Sequence, residues 1–219
     1  MPARACLQSA LFFLAAVIAL FASAGTLRIA TFWIYLAILA ASLIASLLWL
    51  DRDLVRERMR PGGNKPPLGL RLFPALFLAH WAVAGLDRGR FHLTDFVPPW
   101  LQWLALAALA IGYALAFWAM AVNRFFSSVV RIQSDRGQYV VRGGPYACIR
   151  HPGYLAGIVI VLASGMALGS WLADALLVVC CLPFLLYRVL TEDRVLRAEL
   201  PGYRDYAERV RWRLLPGLW

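Results

Sequence analysis

The sequence predicts an all-α polytopic membrane protein with about six apolar segments, the last two forming a helical hairpin ahead of a cytoplasmic amphipathic C-terminal segment. Three observations carry this reading. Of 219 residues, 62% are hydrophobic and 16% charged, outside the range of a water-soluble domain. Long apolar runs recur along the whole chain. The cations fall almost entirely in alternate loops between those runs.

The first run, residues 7–24, follows Arg4 and ends in Ala22, Ser23 and Ala24, so it reads as a retained span or a cleavable signal peptide. Residues 31–50 form the second. Arg52, Arg56, Arg58, Arg60 and Lys65 then precede the third, residues 70–86. The fourth, 100–122, leads into a loop with Arg124, Arg131, Arg136, Arg142 and Arg150. Residues 154–168 are short for a full crossing. With 171–190 they read as a tight hairpin whose first arm is fully or partly inserted. Arg194, Arg197, Arg204, Arg209, Arg211 and Arg213 follow, whereas the remaining loops carry only Arg28, Arg88 and Arg90. Six spans put every strongly basic loop and both termini on the cytoplasmic side, and five spans fit the charge less well. The chain divides into a four-span region, 1–125, and a hairpin region, 126–219.

The net charge of +10 has no soluble basic module to carry it, which excludes a nucleic-acid partner; loops facing anionic lipid account for it. Lys65 is the only lysine, and this preference for arginine suggests a GC-rich bacterial genome and hence an inner membrane. Cys6, Cys148, Cys180 and Cys181 show no C-x-x-C spacing, and His80, His92 and His151 are scattered, so no metal is expected. Trp33, Trp49, Trp81, Trp100, Trp103 and Trp171 read as an interfacial belt. The pairs Gly153/Gly157 and Gly165/Gly169 have the spacing of close helix contacts.

The chemistry concentrates in RGGPYACIRHPGYLAG, residues 142–157. Gly143, Gly144 and Pro145 turn the chain, and Pro152 suits the first turn of a helix. That helix aims its free N–H groups at the polar rim, beside Arg150, His151, Tyr146 and Tyr154. The arrangement fits an anionic or zwitterionic ligand with an aromatic or cationic part, or else a plain interfacial anchor. At the other end of the hairpin stand Arg188 and Glu192, then Asp193, Tyr203 and Tyr206. Charges on a membrane helix line a cavity or have a partner, and a hairpin returns both its ends to one face. The two clusters therefore belong to one site.

On the motifs GPYACIRHPGY (144–154), TEDRVLRAELPGYRDYAERV (191–210) and RLLPGLW (213–219), the chain resembles the integral membrane methyltransferases that include isoprenylcysteine carboxyl methyltransferase and the phospholipid methyltransferases. The resemblance covers roughly the C-terminal hundred residues; RERMRPGGNKP (56–66) also looks like a loop of some bacterial members. It implies S-adenosyl-L-methionine as methyl donor, held without a Rossmann domain. Carried over by position, the contacts come from Gln138, Tyr139, Val140, Val141, Tyr146, His151, Pro152, Gly153 and Tyr154, with Glu192 closing the site and Arg188 facing the acceptor. The chain departs from the pattern twice. Glu192-Asp193 stands for a Glu-Glu pair, and Gln138 for a histidine of some eukaryotic members.

The residues suit such a donor. The helix N-terminus with Arg150 or His151 matches its carboxylate, Glu192 its ammonium, and Tyr146 or Tyr154 its sulfonium. The expected activity is methyl transfer to a lipophilic or small apolar acceptor, foremost the carboxylate of an isoprenylcysteine-like molecule. A phospholipid amine or a small thiol is the alternative. An NADPH-dependent membrane reductase sharing the C-terminal fold and a non-enzymatic scaffold are the rival readings, and the oligomeric state is open.

Overall fold

The structure, a computed structural model, describes residues 3–63 and 68–219, and the side chains of these except 63–71; Asn64, Lys65 and Pro66 of the RERMRPGGNKP segment lie outside the described residues. The helices are α1 (Ala3–Ala24), α2 (Ala30–Trp49), α3 (Arg52–Met59), α4 (Leu68–Leu86), α5 (Pro99–Val122), α6 (Pro152–Leu168), α7 (Trp171–Glu199) and α8 (Tyr203–Arg209), with no strand among the described residues. Helices α1, α2, α5 and α7 are long and apolar enough to cross a membrane, and α4 and α6 are further apolar helices. The chain is a polytopic helical membrane protein.

Helix faces divide as a lipid environment requires. On α1 the large side chains Leu7, Leu11, Leu14 and Ile18 point outward, while Ala5, Ala16, Leu20 and Ala24 are buried. Apolar side chains gain little by leaving lipid for protein, so association depends on close packing of small residues. Gly85 and Gly89 lie against the end of α1, where an added Cβ would come within 1.9 Å of Ser23 Oγ and 2.4 Å of the Ala24 carbonyl. Arg90 then donates to the carbonyls of Ser23 and Ala22 and closes that helix end.

The hairpin of residues 152–199 is set by its turn. Gly169 ends α6 with φ +85°, a left-handed conformation that glycine adopts without strain. Ser170 caps α7 by accepting from the Ala173 N–H at 3.1 Å. The two glycine pairs divide. Gly165 brings α6 onto the start of α7, because a Cβ there would lie 2.1 Å from Asp174 N, whereas Gly169 is a helix end. Gly153 faces the Phe126 ring, and Gly157 leaves ordinary room before Leu185.

Polar groups inside the bundle are paired. His80 joins Ser164 Oγ and the Ala173 carbonyl, both at 2.9 Å, and the Tyr35 hydroxyl reaches Ser164 Oγ at 2.8 Å. Trp81 donates to that same hydroxyl and is fully buried, which corrects its assignment to the interfacial belt; Trp33, Trp49, Trp100 and Trp103 are exposed as expected. Two further departures bear on function. Helix α3 forms within the first basic loop, and α7 continues to Glu199, so Glu192 and Asp193 ride on the long hairpin helix itself.

Replacing Gly165 with alanine is expected to cost about 1–3 kcal/mol by overpacking, read as a lower melting temperature in detergent. Gly157→Ala, whose new methyl meets only Leu185 at 3.7 Å, should melt like the parent chain.

Candidate active site

Four pieces of chain meet at the end of the bundle that holds the start of α6 and the exit of α7. Pro152 occupies the first turn of α6, so its missing N–H breaks no helical bond. The Arg150 and His151 N–H groups donate to the Trp212 and Arg213 carbonyls, both at 2.9 Å, and bind the C-terminal stretch to this entry. Helix α8 returns beneath it, with the Tyr206 hydroxyl donating to the Tyr146 carbonyl at 2.7 Å. Burial pushes the Tyr206 hydroxyl above its ordinary pKa and keeps it a donor.

Asp193 ties these pieces together. Its carboxylate is buried and accepts from Arg150 Nε at 2.9 Å and from Arg197 Nε, Arg213 Nε and the Tyr203 hydroxyl at 3.1 Å. His151 Nε2 lies 3.3 Å away. The other Arg150 donors reach the carbonyls of Val210 and Arg211 at 2.8 Å and Ala207 at 3.4 Å. Arg150 is thus fully engaged inside the protein. It lines the cleft, but Asp193 compensates its charge inside the protein.

Glu192, one residue earlier, faces a cleft of about 450 Å³. The Tyr154 hydroxyl donates to Glu192 Oε2 at 2.8 Å and accepts from Arg188 Nε at 3.0 Å. Arg188 and Glu192 are therefore joined through Tyr154 rather than directly, and the Arg188 terminal nitrogens bond no described residue. His151 Nδ1 lies 3.9 Å from Glu192 Oε1, which brings the proline-led helix start and the helix exit to one place. Gln138, Tyr139, Val140, Val141, Tyr146, Gly153 and Tyr154 all line the cleft, and Pro152 does not. Gln138 Oε1 is taken by the Gln133 N–H at 2.6 Å, so this side chain shapes the loop. The N–H groups of Tyr139, Val140 and Val141 have no protein acceptor among the described residues.

One wing of the cleft is polar, and the other is built from Phe73, Ala116, Met120, Ile160, Phe184 and Leu185 on the spanning helices. The residues present fit S-adenosylmethionine. Free backbone donors on 139–141 suit a nucleoside, Glu192 suits an ammonium, and the Tyr154 face suits a cation. The volume is that of a small-molecule site.

Sequence reasoning missed the wall made by α3. Glu57 is buried and takes two bonds from Arg131, each 3.0 Å, plus one from Ser127 at 3.1 Å and one from the Gly62 N–H at 3.2 Å. Asp53 pairs with Arg136 at 2.6 Å. These bonds fasten α3 across the loop after α5, and Arg58 and Phe126 join the lining. Burial alone would raise the Glu57 carboxyl, but its bonds from Arg131, Gly62 and Ser127 outweigh this and hold it below its ordinary 4.5. No signal in one sequence pairs residues more than seventy positions apart.

Residues 103–198 match the model of the isoprenylcysteine carboxyl methyltransferase family. Among curated proteins, the chain is 28% identical over 120 residues to the protein-S-isoprenylcysteine O-methyltransferase of Schizosaccharomyces pombe, covering 54% of this chain and 51% of that protein. It is also 28% identical over 111 residues to the cobalt-zinc-cadmium resistance protein CzcN of Cupriavidus metallidurans, covering 51% of this chain and 49% of that protein. The chain spans about half the length of the curated relatives it matches.

Asp193→Ala leaves the Arg150 guanidinium buried without its counter-ion, and a loss of about 3–5 kcal/mol is expected, measured as collapse of the thermal transition in detergent. The Glu57 contribution has the sign of a depressed carboxyl: present in full above pH 4.5 and lost as pH falls through the lower folded value. The protection of α3 amides, taken relative to the intrinsic exchange rate at each pH, should therefore fall below that pH, and Glu57→Gln should make it low and nearly pH-independent.

Proposed function

We propose that this chain, whose residues 103–198 match the model of the isoprenylcysteine carboxyl methyltransferase family, is an integral membrane methyltransferase that uses S-adenosylmethionine and methylates the carboxylate of a lipophilic, isoprenylcysteine-like acceptor. The observation that carries the reading is the two-sided cleft. A Glu192–Tyr154–Arg188 chain of hydrogen bonds stands where its polar wing meets its apolar wing.

S-adenosylmethionine, when bound, supplies an electrophilic methyl on a sulfonium, which leaves as a neutral thioether once an acceptor oxygen takes the methyl. The chain's own residues supply position and charge. Glu192 holds an ammonium through its carboxylate, which Tyr154 already orients. Tyr154 keeps its hydroxyl bonded on both sides, and its ring, already 5.9 Å from the Arg188 guanidinium, offers its other face to positive charge. Arg188 is anchored through Nε, which leaves its terminal nitrogens to grip a carboxylate in two-point fashion. A carboxylate is already ionised at neutral pH, so no general base is needed. The free edge of Arg188 favours such an acceptor over an amine. Phe73, Met120, Phe184 and Leu185 exclude water and accommodate an apolar tail.

Calorimetry on the purified chain should show S-adenosylmethionine binding that weakens at least about tenfold in Glu192→Ala, the scale of one lost charged hydrogen bond. Arg188→Ala should raise KM for an S-prenylcysteine at least about tenfold while changing donor affinity much less. Donor binding indifferent to Glu192, or NADPH oxidation without methyl transfer, defeats the reading.

A further inference from the structure

The cleft is lined by four arginines among the described residues but by one carboxylate, Glu192. Two of these cations are neutralised inside the protein: Arg131 by Glu57 and Asp135, and Arg150 by Asp193. Two are not. Among the described residues Arg188 bonds only the Tyr154 hydroxyl. Arg58, in the last turn of α3, lays its guanidinium 5.1 Å from the centre of the Phe126 ring and makes no bond to a carboxylate among the described residues. Burial lowers the Arg58 pKa from its ordinary value. Arg58 is half-buried, and an anionic ligand offsets the cost of its partial desolvation.

The methyl donor has three charged groups besides its adenosine: an ammonium, a sulfonium and a carboxylate. Glu192 answers the first and the tyrosine faces answer the second. Arg150 and His151, the sequence candidates for the carboxylate, are both turned to Asp193. With Arg188 assigned to the acceptor above, Arg58 is the remaining cleft cation without a carboxylate partner among the described residues. Its position is suitable. Phe126, beneath the guanidinium, is pressed against Gly153 so closely that a Cβ there would sit 2.3 Å from the ring. Arg58 and Gly153, in the first turn of α6, thus meet the same Phe126 ring, and the N-terminal end of that helix also attracts negative charge. The Arg188 guanidinium lies over Phe184 and Tyr154 instead, at 5.8 and 5.9 Å from the ring centres.

We propose that Arg58 binds the carboxylate of the bound methyl donor, so that α3, from the first basic loop and outside the family match, completes the donor site. This rests on the methyltransferase reading above. It also gives the arginine-rich RERMRPG segment a function: Glu57 and Arg131 dock it, and Arg58 points inward.

The test is calorimetry on the full chain in nanodiscs with two probes, S-adenosylhomocysteine and its decarboxylated analogue. Arg58→Gln should weaken S-adenosylhomocysteine binding by about ten- to a hundredfold, the range of one charge-assisted contact. It should leave the decarboxylated analogue within about twofold, since the group that Arg58 contacts is missing there. Arg58→Lys should fall between Arg58→Gln and the parent, keeping the charge but not the planar fork. Equal weakening of both probes would overturn the proposal and make Arg58 a fold residue. Unchanged S-adenosylhomocysteine affinity with a raised KM for a carboxylate acceptor would overturn it in favour of acceptor binding. If the parent chain binds neither probe, the methyltransferase reading itself fails, and this proposal with it.

Discussion

A buried carboxylate must be surrounded by donors, and Asp193 is the point from which the polar end of this molecule is built. Three guanidinium groups, a tyrosine hydroxyl and an imidazole converge on it. They come from four stretches that have little apolar surface of their own: the turn before α6, the exit of α7, α8 and the C-terminal stretch. Hydrophobic packing could not hold such short pieces in register, because α8 has seven residues and buries only one side. A single charge with several partners does so, since each partner missing would leave it less compensated. Adjacent residues on a helix point about 100° apart. When Asp193 turns toward this cluster, Glu192 is turned toward the cleft, and two neighbouring acids acquire different tasks.

That separation also explains the state of the arginines. The chain is rich in guanidinium groups at this end, and their environments sort them. Arg150 and Arg131 meet buried carboxylates and become parts of the wall. Arg188 and Arg58 meet a hydroxyl and an aromatic face, which orient them without cancelling their charge. The cleft is therefore lined by one carboxylate, by two cations without a carboxylate partner among the described residues, and by apolar side chains. Preorganised charges in a partly dry site act more strongly than the same groups in water.

The spanning helices provide a frame that does not shift. Gly165 sets the distance between α6 and α7 at one end, and the His80–Ser164–Tyr35 bonds tie α4, α6 and α2 across the interior. A hydrogen-bonded network within the bundle has few alternative partners, so it fixes rotation as well as separation. Tyr154 and Glu192, on facing arms of one hairpin, inherit that rigidity.

The sequence alone determined the helical membrane architecture, the hairpin and the part of the cleft lining that the hairpin carries, because these depend on local patterns. Runs of apolar residues mark spans, prolines and glycines mark where helices begin and stop, and charges stranded on an apolar helix mark a cavity. GPYACIRHPGY and Arg188 with Glu192 were legible for that reason. Only the tertiary structure decided which charges are free. Arg150 and Arg188 look equally available in the chain, as do Glu192 and Asp193. Their roles diverge through partners from 10 to 61 positions away, such as Tyr203 for Asp193 and the Arg211 carbonyl for Arg150. Arg58 was one cation among several in a basic loop until α3 folded over Phe126. Periodicity and spacing record what a residue's neighbours along the chain are, and the free charge of an ion depends on its neighbours in space.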